Sequence, residues 1–392
     1  MNDPVIVCGV RTPIGKALKG TLRNFRPDDM AGIVIRGALE RAPGVPGEAV
    51  DDVVMGCAMP EGEQGMNMAN IAKFIAGLPH TVPAITVNRF CSSGLQAIVI
   101  ANDSILAGRN EIVIAGGSES MTYVPFGGNK FAPNPGLSEQ MTKVYMSMGH
   151  TAERVAQAYG ISREAQDRFS YESHVKAQSA IAAGKFKDEI IPIRFEHTDL
   201  AEGRKARTRQ MFLDKDEGVR ADASLEALSA LKPVFTSGGT VTAGNCSQMS
   251  DGAAALLLMS RKKAEAFKCV PVARIVAYAV AGVPPEVMGI GPIEAIPKAL
   301  KAAGLAQKDI GLIELNEAFA SQSLAVIKTL NLDPEKVNVN GGAIALGHPL
   351  GATGAILTVK IIGEMKRRKT RYGMVTMCIG GGMGAAGILE LL

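Results

Sequence analysis

Long apolar runs, paired cysteines and an excess of either charge are all missing from this chain of 392 residues. The uninterrupted apolar stretches, such as 253–259, fall far short of the ~18 residues that a membrane-crossing helix needs. No membrane span is expected. Six cysteines, Cys8, Cys57, Cys91, Cys246, Cys269 and Cys378, are too few and too scattered to form a disulfide framework, and no two of them make a CxxC pair. Forty-two basic and 38 acidic side chains leave a balance of +4, so the whole molecule has no pull toward nucleic acid or an anionic membrane. Any anion must be bound locally. The opening run Val5 to Val10 reads as a strand and lacks the charged region, apolar stretch and cleavage site of a secretory signal. The closing run Ile388 to Leu392 reads as a last strand without a peroxisomal or retention tag. These absences lead us to expect a cytoplasmic protein with reduced thiols.

What the chain has in surplus is glycine, 44 residues or about 11%, against a typical ~7% and without the three-residue period of collagen. Glycine here marks tight turns or close approaches of backbone to a ligand. Short β-branched runs alternate with amphipathic stretches, the pattern of an α/β protein. Segments 52–55, 84–87, 111–115, 310–315, 336–340 and 373–378 read as strands, and 92–106 and 353–365 as helices. The order of these segments repeats loosely. Val87-Asn88 precedes one helix and Val339-Asn340 another, an offset of 252 residues that is domain-sized. Two similar α/β halves are expected, residues 1–118 completed by 251–270, and 271–392. Residues 119–250 differ in texture, with Pro125, Pro133 and Pro135, a helical stretch over 152–183 and a charged segment over 204–220. They read as an inserted loop domain carrying substrate contacts.

Four blocks hold residues that can do chemistry. In Asn88-Arg89-Phe90-Cys91-Ser92-Ser93-Gly94, a cysteine lies between a strand end and a helix start, where free N–H groups and the helix dipole favour a thiolate. The alternative for any such cysteine is a small buried hydrophobe, which is the reading for Cys8, Cys57 and Cys269. His348 is one of five histidines and lies in a turn among Gly341, Gly342, Gly347, Gly351 and Gly354, where an imidazole can reach a cleft as base or donor. His80, His174 and His197 read as structural. This glycine-rich stretch matches neither a Walker loop nor a dinucleotide fingerprint. Cys378-Ile379-Gly380-Gly381-Gly382 runs from a strand into a turn whose N–H groups could form an oxyanion hole. Leu315-Asn316-Glu317-Ala318-Phe319 offers an amide donor and a carboxylate at a strand-to-helix junction.

Together these blocks, in this order and over the whole chain, resemble the thiolases, the acetyl-CoA acyltransferases. The resemblance implies a layered α-β-α-β-α fold of duplicated halves. It implies that Cys91 is the nucleophile that takes the acyl group, that His348 takes its proton, and that Cys378 is the second acid and base. It further implies one oxyanion hole from His348 and a water held by Asn316, and another from the N–H groups of Cys91 and Gly380. Coenzyme A is expected as co-substrate, with no metal and no permanently bound cofactor. Met148, Arg220, Leu231, Phe235, Ala243, Ser247, Ala318 and Phe319 match the positions that bind it, with Ser247 near the pantetheine amide. The cluster Lys366 to Lys369 reads instead as a solvent-exposed cap on a helix end.

Two features separate this chain from biosynthetic acetoacetyl-CoA thiolases: Ser147-Met148-Gly149 stands where those have His-Met-Gly, and the segment 121–147 is shorter. Together with Gly282 to Gly289 they resemble the degradative 3-ketoacyl-CoA thiolases of β-oxidation. That implies acyl-CoA and CoA as substrates, a homodimer with a tetramer as the alternative, and a multifunctional β-oxidation subunit as a possible partner. The biosynthetic enzyme condensing two acetyl-CoA remains the alternative. A ketoacyl synthase is disfavoured by the second cysteine, and an inactive lipid-binding relative by the presence of both Cys91 and His348. A Rossmann dehydrogenase is disfavoured by the missing glycine fingerprint after the first strand.

Overall fold

The structure is a computed structural model that describes residues 3–200 and 206–392. Its strands are β1 (Pro4–Arg11), β2 (Gly15–Lys16), β3 (Asp52–Gly56), β4 (Ala84–Val87), β5 (Ile112–Ser120), β6 (Ile193–Leu200), β7 (Ala206–Leu213), β8 (Ser250–Ser260), β9 (Ala273–Gly282), β10 (Leu312–Leu315), β11 (Tyr372–Ile379) and β12 (Met383–Leu391). All but the β6–β7 hairpin join one sheet, ordered β10-β11-β12-β9-β1-β8-β5-β3-β4, with β2 on β8. The register shows two copies of one unit. In the first, β1 and β8 pair antiparallel, as do β8 and β5, while β5, β3 and β4 run parallel. In the second, β9, β12 and β11 repeat the antiparallel part and β11 and β10 the parallel part. The halves join where Ile6 of β1 meets Ala273 of β9.

Strand β8, with its run of Ala253 to Met259, is buried along its whole length, as is β5. Such runs follow from covering both faces of the sheet. Helices Pro27–Glu40 and Met68–Ile75 pack on the outer face of the first half, and Gly291–Ala303 and Ala320–Leu330 on that of the second. Helices Ser93–Leu106 and Leu350–Arg368 fill the space between the halves and pack on each other, completing a five-layer α-β-α-β-α arrangement. They approach so closely that a Cβ on Gly354 would lie 2.4 Å from the Leu95 nitrogen, and one on Gly94 2.8 Å from that of Ala355. Part of the glycine surplus is thus spent on contact between the two central helices.

The inserted region is tied to this frame through buried charge. Arg11 of β1 donates to Glu189 at 2.8 Å and to both oxygens of Asp216 at 2.7 and 2.9 Å, with the guanidinium fully buried. The charged segment expected over 204–220 begins at Arg204, which lies outside the described residues.

Two expectations are corrected. Segment 336–340 is not a strand: Pro334–Lys336 forms a 3-10 turn and only Val337 bridges Ile313. Asn338 adopts φ 47° and its side chain bonds both backbone groups of Leu315, so the chain turns away from the sheet edge. The stretch 152–183 is two helices, Met148–Tyr159 and Arg163–Ala182. Gly160 ends the first in the left-handed region, and the Ser162 hydroxyl accepts the Ala165 N–H to cap the second.

Candidate active site

The reactive side chains gather past the carboxyl ends of the parallel strands, where α/β sheets open a crevice. Cys91 lies in the 3-10 turn Phe90–Ser92 between β4 and the first central helix. Asn316 follows β10, and Cys378 and Gly380 straddle the end of β11. His348 enters from the loop between the short helix Ala343–Leu346 and the second central helix. Cys91, His348, Cys378 and Asn316 are all buried.

The imidazole is held from both sides. His348 Nδ1 is 2.6 Å from the Thr353 hydroxyl, and that hydroxyl gives its own proton to the Pro349 carbonyl at 3.2 Å. Thr353 must therefore accept, which puts the ring proton on Nδ1 and leaves a lone pair on Nε2. There the Asn316 amide Nδ2 donates at 3.3 Å. Burial pushes the imidazole down to about 4, so it is a neutral base at pH 7. The His348 N–H donates to the Ser250 hydroxyl at 3.0 Å, fixing the loop itself.

Burial pushes the Cys91 thiol up to about 12, although the N–H groups of Gly380 and of Cys91 itself favour the thiolate. The strand-to-helix position does supply the expected N–H groups, but desolvation outweighs them. Cys378 is raised too, by burial first and then by its neighbour Cys91. The resting site therefore holds two neutral thiols and one neutral imidazole. An apolar wall encloses Cys91, made by Ala58, Met121 and Leu350.

The residues expected to contact coenzyme A fall into two adjoining groups. Met148, Phe235, Ala318 and Phe319 pack in one cluster with Cys378, and the Phe235 and Phe319 rings lie edge-on at 6.3 Å. Arg220, Leu231 and Ala243 line a cavity of 170 Å³ together with Gln248 and Ile344. Gln248 adjoins the imidazole loop, because its carbonyl accepts the His348 N–H at 3.3 Å. Ser247 is half-buried and its N–H bonds the Ala318 carbonyl, joining the two groups. A groove of 840 Å³ beside helix Met148–Tyr159 is lined by His150, Glu153 and Arg154 and holds none of the reactive side chains.

Thr353 and Glu119 carry structural weight that the sequence reading did not assign. Thr353 stands five residues past His348, inside a block already singled out, and its spacing to the histidine was the available signal. Glu119 gave no local signal at all. Glu317, the carboxylate at the strand-to-helix junction after β10, accepts from Ser173, Asn338 and the Ile344 N–H, bracing the loop ahead of His348. Lys366 to Lys369 is exposed at the end of its helix, with Arg367 and Arg368 paired to Glu364.

Comparison with known proteins gives the family. The family described as thiolase, N-terminal domain, matches residues 4–262, and thiolase, C-terminal domain, matches residues 269–391. The chain belongs to the thiolase family. Among curated relatives, "3-ketoacyl-CoA thiolase" of Bacillus subtilis (strain 168) is 58% identical over 391 residues, covering 100% of each chain. "3-ketoacyl-CoA thiolase" of Pseudoalteromonas translucida (strain TAC 125) is 46% identical, covering 100% of this chain and 99% of the relative. Among solved structures, the Bacillus anthracis acetyl-CoA acetyltransferase superposes with a TM-score of 0.90 at 42% identity, covering 100% of this chain and 99% of that one. No helix among the described residues is long and apolar enough to cross a membrane.

Proposed function

We propose that this chain is a 3-ketoacyl-CoA thiolase, an acetyl-CoA C-acyltransferase that cleaves 3-ketoacyl-CoA with CoA into acetyl-CoA and a shortened acyl-CoA. The observation that carries the reading is the convergence of two thiols and one tautomer-fixed neutral imidazole in a single buried site. The Cys91 sulfur attacks the 3-keto carbon while its proton passes to His348 Nε2. The new oxyanion, on the carbon now joined to the Cys91 sulfur, is served by the N–H groups of Cys91 and Gly380 that face that sulfur. Breaking the bond between C2 and C3 leaves the acyl group on Cys91 and an acetyl-CoA enolate, which takes a proton from Cys378. The protonated Nε2 of His348, with a water that Asn316 would hold through its buried Oδ1, serves the thioester oxygen of that enolate. After acetyl-CoA leaves, Cys378 recovers its proton from the incoming CoA thiol, whose sulfur takes the acyl group, and the released Cys91 thiolate takes back the proton held on His348 Nε2.

In this reading residues 119–250 form the inserted domain that contacts CoA, between halves made of 1–118 with 251–270 and of 271–392. Arg220, Leu231 and Ala243 receive the nucleotide end, and Met148, Phe235, Ser247, Ala318 and Phe319 the pantetheine. CoA is a substrate, with no permanently bound cofactor, and the compartment is the cytoplasm. Strand β4 ends the sheet with Ile85 exposed and Met66 and Phe74 nearby, which supports a homodimer covering that edge. A tetramer and a β-oxidation multienzyme partner are the further associations to test.

The matched acetyl-CoA acetyltransferase structure favours a second reading, condensation of two acetyl-CoA by the same residues. Thiolysis rates on short-, medium- and long-chain 3-ketoacyl-CoA separate the two. The degradative reading expects turnover across the series, and activity confined to acetoacetyl-CoA would overturn it.

A further inference from the structure

Glu119, near the end of β5, is fully buried and carries its carboxylate between the two halves of the molecule. Every neighbour that bonds it is a donor. Its Oε2 accepts from the Ala58 N–H at 2.7 Å and from the Gly351 N–H at 2.8 Å. Its Oε1 accepts from Gln64 Nε2 at 2.8 Å, from the Met59 N–H at 3.2 Å and from the Cys57 thiol at 3.6 Å. A protonated carboxyl would find no acceptor here, so the donor set selects the anion. Gly351 lies in the first turn of the helix Leu350–Arg368, where free N–H groups and the helix dipole favour an anion.

Of the two groups that share Oε2, one lies beside the His348 turn and the other is linked to the Cys91 turn. Gly351 follows His348 by three residues. Ala58 leads to Cys91: its carbonyl accepts from Asn88 Nδ2 at 3.0 Å, and Asn88 Oδ1 in turn accepts the Phe90 N–H at 2.8 Å. Phe90 sits at φ 44°, a left-handed conformation costly for a non-glycine residue, immediately before the nucleophile. The Ser93 hydroxyl holds the other side, accepting the Arg89 N–H at 2.9 Å and donating to the Phe90 carbonyl at 2.6 Å. Ala58 itself and Leu350, the neighbour of Gly351, both pack on Cys91.

We propose that Glu119 is a positioning residue that sets the Cys91 turn against the His348 turn by holding Ala58 and Gly351 on one carboxylate oxygen. The inference rests on the Cys91 and His348 reading given above. Glu119→Gln replaces an acceptor by a donor facing N–H groups, which releases one turn from the other while Cys91 stays in place. Acetylation by acetyl-CoA needs sulfur and imidazole aligned, whereas alkylation by iodoacetamide needs the sulfur alone. The test measures both rates at neutral pH by quenched-flow mass spectrometry, with thermal melting alongside. E119Q is expected to acetylate about tenfold or more slowly, the loss that a small misplacement produces. Its alkylation should be unchanged or faster and its KM for acetyl-CoA within about twofold, since neither depends on that alignment. Asn88→Ala, an exposed position, cuts only the link from Ala58 to Phe90; it should show the same split in smaller measure, and it decides the matter if E119Q does not fold. Wild-type acetylation in the folded variant, or equal loss of both reactions, overturns the proposal. C91A is run in parallel: an acetyl adduct persisting there would reject the underlying reading and not the clamp alone.

Discussion

Thr353→Val tests whether the imidazole acts through one fixed tautomer. Valine keeps the shape of threonine and removes only the hydroxyl, which receives the His348 Nδ1 proton at 2.6 Å in a buried site. Without it Nδ1–H has no acceptor, a loss of about 1–3 kcal/mol for a buried donor. The ring can escape that cost by moving its proton to Nε2, but Nε2 is then no longer the base that Cys91 needs, and it faces the donor amide of Asn316 at 3.3 Å. Either course raises the barrier to acylation by a similar amount, so the acetylation rate should fall about 5- to 150-fold. KM should stay within about twofold, because Thr353 is buried behind the ring and touches no proposed CoA position. Thr353→Ser restores the acceptor and should recover most of the rate. Single-turnover acetylation by acetyl-CoA, followed by mass spectrometry, reads this directly. A valine variant with the wild-type rate, or a serine variant as slow as valine, would refute the reasoning.

Cys378→Ser should still form the acyl adduct on Cys91 yet turn over very slowly, because a serine hydroxyl is a far weaker acid; full steady-state activity would remove its proposed role. Arg11→Met leaves Glu189 and Asp216 as unpaired buried carboxylates and should cost about 3–5 kcal/mol in urea unfolding. A loss below about 1 kcal/mol would show that the network is not held in that form. For pH, the His348 imidazole is depressed from 6.5 to about 4 in the folded protein, so its contribution to stability is complete above pH 6.5 and is lost as pH falls toward 4. The His348 share of the loss reaches about 3 kcal/mol and should appear as the difference between wild type and the His348→Gln variant in urea midpoints along that range, since His174, likewise pushed down to about 4 by burial, contributes equally to both.

The motif blocks were legible because each keeps its chemistry within a few residues. Cys91, Asn316, His348 and Cys378 all sit in turns at strand ends or helix starts, and strand-turn-helix junctions are marked by local glycine, serine and proline. The duplicated order was legible for the same reason, and the pairing of β1, β8, β5 and β3 repeats in β9, β12, β11 and β10. What failed or went unseen depends on partners distant in the chain. Segment 336–340 has strand composition, but Asn338 is captured by Leu315 across 23 residues. Glu119 gathers donors from residues 57–64 and from Gly351, 232 positions away, and no window of sequence contains them. The neutral resting thiol is out of reach of the sequence for the same reason, because helix-start geometry is local while burial is the sum of the whole fold.

That last point has its own consequence. With the Cys91 thiol pushed up to about 12 and the His348 imidazole down to about 4, the site rests as a neutral pair and not as thiolate and imidazolium. Moving the proton is uphill until a carbonyl carbon arrives to take the sulfur's electrons and an oxyanion forms against the N–H groups of Cys91 and Gly380. The substrate itself thus triggers ionisation, and the buried thiol is shielded from adventitious oxidants, which react through the thiolate. The free enzyme should reveal this in the pH profile of Cys91 alkylation by iodoacetamide. For a thiol that titrates near 12 the rate climbs about tenfold per pH unit across the neutral and mildly alkaline range with no plateau. A plateau reached near neutrality would mean that thiolate and imidazolium already coexist at rest, and the substrate-triggered account would fall.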